Sequence, residues 1–73
     1  MDPNNIVLVY GVAYAVPHYL AIGDSFFVPC LDIPTTYREI RLHYIRGRPK
    51  RYSLTYEERI ERGLLGIRIW RVA

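Results

Sequence analysis

The 73 residues carry ten Lys and Arg against seven Asp and Glu, a formal charge of +3, with 51% hydrophobic residues. A chain this short buries only about 60% of its unfolded surface even as one unit, which excludes a second domain with its own core and leaves a single domain over residues 1–73. One cysteine, Cys30, excludes an internal disulfide, and His18 and His43 give no zinc-ligand spacing, so no metal or other cofactor is expected.

The modest net charge hides a split. Residues 1–37 hold three aspartates and no Lys or Arg, a charge of −3, whereas residues 38–73 hold all ten cations against four glutamates, a charge of +6. Nine of the ten cations are arginine, whose planar, weakly hydrated guanidinium suits phosphate, carboxylate and aromatic faces. A basic half points to nucleic acid, to a ribonucleoprotein machine or to an acidic protein surface.

Ile6 to Tyr10 is a β-branched and aromatic run of strand length. Gly11 turns or bulges it into Val12 to Val16, giving two strands or one bent strand, and Pro17, which lacks an amide donor, ends the pairing. No charged residue occurs from Pro3 to Gly23, but the apolar run stops at Pro17 and His18, short of the ~20 residues of a spanning helix. No basic segment precedes it, so neither a membrane span nor a secretory signal is expected. Gly23 and Asp24 make a turn, and Ser25 to Val28 is a short strand closed by Pro29.

Residues 34–46, PTTYREIRLHYIR, read two ways. As a strand they place Ile40, Leu42 and Tyr44 on one face. As a helix they start near Pro34 with Thr35 or Thr36 as cap, and group Tyr37, Ile40, Tyr44 and Ile45 on one side. Gly47 and Pro49 stand where a helix would stop, and the helix is preferred, with Arg41 inside its apolar arc laying its stem on the core and lifting its head to solvent. Further on, Thr55 and Glu58 resemble a capping box, yet Tyr52, Leu54 and Tyr56 alternate with polar residues. Ile67 and Ile69 alternate with Arg68, Trp70 and Val72, so two antiparallel strands joined through Glu61 to Leu65 fit both ends. The fold class is therefore α+β: one main helix with an antiparallel sheet of three to four strands.

No catalytic constellation stands out, and no enzymatic activity or small-molecule substrate is expected. His18 and His43 lie on different segments, each read as an ordinary packing or surface histidine, and Cys30 has no basic neighbour to lower its pKa. Trp70 is read as a buried or half-buried anchor of the last strand, in preference to an exposed interface residue between Arg68 and Arg71. Seven tyrosines exceed what so small a core can bury, so some are contact residues. The feature that carries function is residues 38–51, where Arg38, Arg41, Arg46, Arg48, Lys50 and Arg51 face a single acid, Glu39. Within IRGRPKRY, Pro49 stiffens the segment, and Tyr44 and Tyr52 at its edges are candidates to stack on bases or aromatic side chains. These eight residues are the candidate partner-binding set.

The segment IGDSFFVP at 22–29, a helix, a basic GRPKRYSLTY run and the ending GIRIWRVA resemble a group of small phage-encoded proteins with a Gly-Asp-Ser-Phe-Phe-Val-Pro segment and a Trp-Arg-Val ending. In that group the segment before the tryptophan strand looks like a strand, which favours a hairpin over a second helix. Length, basic C-terminal half and frame together resemble the regulators with which lytic phages take over host RNA polymerase. The resemblance implies binding to the two large polymerase subunits, beta and beta-prime, in the cytoplasm of an infected bacterium, with sigma displacement at initiation and antitermination beside the RNA exit channel. It also allows elongation factor NusA and nascent RNA as partners, but no membrane. The alternatives are a small basic phage DNA- or RNA-binding protein and an assembly protein that self-associates.

Overall fold

The computed structural model of the protein describes residues 4–46 and 53–73. The elements follow as β1 (Asn4–Val9), β2 (Val12–Pro17), β3 (Ser25–Pro29), α1 (Ile33–Ile45), β4 (Leu54–Glu61) and β5 (Leu64–Arg71). The class is α+β, and the five strands divide into an antiparallel β1–β2 hairpin and an antiparallel sheet ordered β3-β5-β4.

Both hairpins close through two residues of positive φ, Tyr10 (49°) with Gly11 (81°) and Arg62 (53°) with Gly63 (77°). Two successive left-handed residues match the right-handed twist of the flanking strands, which is why Gly follows the turn's first residue in each case. Thr55 to Glu58 lie within β4, so strand alternation prevails over the capping-box pattern there. Between the sheets, the chain turns at 21–24, with Asp24 N–H donating to the Ala21 carbonyl at 2.9 Å and Asp24 Oδ2 accepting from Ala21 N–H.

Helix α1 begins earlier than its threonines suggest. Asp32 is the N-cap, its carboxylate accepting from Thr35 N–H at 3.4 Å, and Pro34 occupies the first turn, where its missing donor is not needed. Thr35 and Thr36 are therefore not caps, and Thr36 is buried. The helix lays Ile40 and Tyr44 into a core with Val7, Val9 and Val16 of the hairpin, Leu20, Val28 and Cys30, and Ile67 and Ile69 of β5. Tyr37 and Ile45 pack at its margin. The apolar stripe of α1 packs against both sheets, which share one core with Leu20 and Cys30. Among the described residues no helix is long and apolar enough to cross a membrane.

The segments IGDSFFVP and GIRIWRVA are hydrogen-bonded neighbours. Ser25 pairs with Trp70, Phe27 with Arg68 and Pro29 with Gly66, and Arg71 exchanges backbone bonds with Gly23 and Asp24 to extend the ladder.

Candidate partner-binding surface

Helix α1 sorts its residues by period. With Thr36, Ile40 and Tyr44 on the buried side, Arg38 and Arg41 fall on the exposed side, and Arg46, also exposed, ends the helix with its N–H bonded to the Leu42 carbonyl. Asp32 at the N-terminus and Arg46 at the C-terminus both complement the helix dipole. Glu39 is the sole acid between Ile33 and Arg46, and it lies 3.4 Å from Arg38. Both side chains are solvated, so this ion pair holds Arg38 only weakly. Arg41 is exposed, and its charge opposes the burial that raises the pKa of Tyr37. The Tyr37 hydroxyl donates to the Leu54 carbonyl at 3.0 Å, and its ring stacks against Tyr56 at 4.2 Å, tying the helix to β4.

Of the eight candidate residues, Arg38, Arg41 and Arg46 are placed on the surface of one helix, whereas Arg48, Lys50, Arg51 and Tyr52 lie outside the described residues. Tyr44 requires a correction. It is fully buried, its hydroxyl donates to the Pro17 carbonyl, and its ring packs against Phe26, so it is a core residue and not an aromatic contact. Adjacency to the basic run in sequence placed it at the surface; the helical turn rotates it inward. Exposed tyrosines occur instead at Tyr10, Tyr19 and Tyr56.

Trp70 is half-buried, as expected, but on the side of the sheet away from the core. Ile67 and Ile69 face the core, so Trp70, at the opposite phase of β5, lies half-buried on the outer face of the three-stranded sheet beside Phe27 and Arg68. The Arg59 guanidinium sits 5.2 Å above its ring. Arg68 makes a two-pronged ion pair to Glu61 at 2.7 Å and also donates to Ser25, while Arg59 pairs with Glu57. The charges on this face are engaged with one another, and they cover the tryptophan.

This lattice has a pH signature. Hydrogen bonding from Arg68 holds the Glu61 carboxyl below the usual carboxylate range. A depressed folded-state pKa contributes stability above the unfolded value of ~4.3, which is lost as pH falls through the folded value. Thermal melting of Glu61→Gln across this acidic range is expected to show a shallower loss of stability than the unsubstituted chain.

The histidines converge although they are far apart in sequence. Asn5 Nδ2 lies 3.2 Å from His18 Nδ1 and 3.3 Å from His43 Nε2, linking β1, the segment after β2 and α1. Among the described residues no group of three His, Cys, Asp or Glu is placed to hold a metal. Burial raises the Cys30 thiol pKa, opposed by a Thr36 hydrogen bond and reinforced by Asp32. Comparison with protein-family models, curated proteins and solved structures finds no match to this chain.

Proposed function

We propose that this chain is a non-catalytic phage regulator that docks on host RNA polymerase in the bacterial cytoplasm. Its docking surface is the exposed arginine face of α1, continued by the basic segment that follows it. The observation that carries this reading is the helix itself: Arg38, Arg41 and Arg46 project from a rigid element anchored through Ile40 and Tyr44. Residues 48–51 add three more cations directly after it. An anchored helix spares the cost of ordering backbone when its arginines engage carboxylates, and the planar guanidinium loses less freedom per hydrogen bond than an ammonium.

The partner surface is formed by beta and beta-prime, whose acidic exterior flanks the RNA exit path and attracts such a face over long range. Regulation follows from occupancy. A domain lodged where sigma or a nascent RNA hairpin must sit excludes it, and binding one polymerase conformation better than another shifts their populations. NusA and nascent RNA are neighbours of that site.

The test is retention of polymerase from nuclease-treated bacterial lysate on immobilised protein near physiological salt. Arg38→Glu combined with Arg41→Glu is expected to weaken polymerase binding by roughly tenfold or more, with an unchanged far-ultraviolet spectrum, because neither residue supports the core. Unchanged affinity removes the helix from the interface. Loss of all retention after nuclease, restored by added RNA or DNA, makes the chain a nucleic-acid-binding protein instead.

A further inference from the structure

The hairpin β1–β2 has one face in the core and one in solvent. Val7, Val9 and Val16 point inward, whereas Ile6 (58% exposed) and Leu8 (65%) point outward with exposed Ala13 and Ala15. An antiparallel sheet with one solvated face ordinarily carries polar residues there, and strands open to solvent ordinarily carry charge. The strand β4, at an edge of the other sheet, follows that rule with Glu57, Glu58, Arg59 and Glu61. The hairpin does not: its outward residues between Asn4 and Pro17 are all apolar.

The sizes of these side chains are ordered. Ile6 stands opposite Ala15 and Leu8 opposite Ala13, so the large residues form a ridge along β1 and the small ones a trough along β2. A two-fold axis lying in the face and parallel to the strands exchanges left for right without shifting position along the strands. It therefore sets Ile6 of one copy over Ala15 of a second, and Leu8 over Ala13, and does the same in reverse. Ridge fills trough on both sides at once, which is the self-complementarity an isologous contact demands.

We propose that the outer face of the β1–β2 hairpin is a homodimer interface, with a second copy of this chain seated ridge into trough across a two-fold axis parallel to the strands. Charge favours this occupant. The copies meet through a segment without Lys, Arg, Asp or Glu, so the ridge and trough bury no charged side chain, with Arg46 and Glu39 at the border of the ridge. The contact is small: four outward side chains on a two-stranded hairpin fall short of the ~800 Å² per partner of a standard interface, which fits a reversible dimer. Ile6 and Leu8 border α1 along a groove that Glu39, Leu42 and Arg46 also line, but the dimer contact itself uses none of the helix arginines.

The experiment is sedimentation equilibrium of the full chain over a concentration series, with a dissociation constant in the range of ~10–100 µM expected. Leu8→Arg, which places two charges in the contact, is expected to raise that constant at least ~30-fold while leaving the melting temperature of dilute protein unchanged. Leu8→Ala alone flattens the ridge and Ala13→Leu alone fills the trough, and each is expected to weaken association. Leu8→Ala with Ala13→Leu exchanges ridge and trough, and is expected to restore the dimer. A chain that stays monomeric across the series overturns the proposal. So does association that none of these substitutions changes, or that grows into open-ended oligomers through strand edges.

Discussion

Gly66→Ala is expected to destabilise the protein by about 3 kcal/mol, read as a lowered urea midpoint, a large share of the stability available to so small a domain. Gly66 sits in β5 opposite Pro29, and an added Cβ meets the Val28 carbonyl oxygen at 2.2 Å, the Pro29 Cα at 2.7 Å and the Phe27 Cζ at 2.8 Å. The first two atoms are backbone of the neighbouring strand, so relief requires β3 to part from β5. Cys30 N–H donates to the Leu65 carbonyl at the same place, and Val28 and Ile67 pair beside it in the core, so the opening spreads to both. Gly63→Ala offers the comparison. There a Cβ meets nothing within 4 Å, and only the positive φ opposes it, at a cost of about 1 kcal/mol.

The second large effect is at Tyr44. Its ring is the largest fully buried side chain and stands between α1, Phe26 of β3 and the end of β2. Tyr44→Ala is expected to cost about 3–5 kcal/mol, comparable to the whole stability of a domain this small, and to leave the chain largely unfolded at 25 °C. Tyr44→Phe keeps the ring and removes the donor to the Pro17 carbonyl, at about 1–2 kcal/mol. The pair of variants also separates core from contact. Folded Tyr44→Phe is expected to bind its partner as the unsubstituted chain does, since the hydroxyl points into the protein.

The strands were legible because their signals are local. The apolar run of β1, the turn at Gly23 and Asp24, and the alternation on either side of Gly63 each specify a short element without reference to distant residues. The helix was legible from its 3.6-residue stripe, although Pro34 drew attention to the following threonines and away from Asp32, the residue that caps it. The same stripe already held Tyr44 inward with Ile40; its surface reading came from proximity in sequence to the arginines. For Trp70 the half-buried anchor was legible from its alternation with Ile67 and Ile69, but that alternation does not say which phase faces the helix.

What could not be read was set by tertiary contact. Asn5 gathers His18 and His43 from different segments, and the outer lattice of Arg59, Arg68 and Glu61 forms only once β4 and β5 are in register. The ridge and trough of the hairpin depend on the pairing of Ile6 with Ala15, which follows from where the two-residue turn falls. Of the candidate site, the arginines of α1 follow from helical phase, while residues 48–52 lie outside the described residues.

The most direct measurement of the central claim is a titration of fluorescently labelled protein with purified bacterial core RNA polymerase, with and without sigma, near physiological salt. Saturable binding to the core enzyme, weakened by Arg38→Glu with Arg41→Glu and antagonised by sigma, is the expected result. Absence of binding to the core enzyme, with affinity for free RNA or DNA that falls steeply as salt rises, contradicts it.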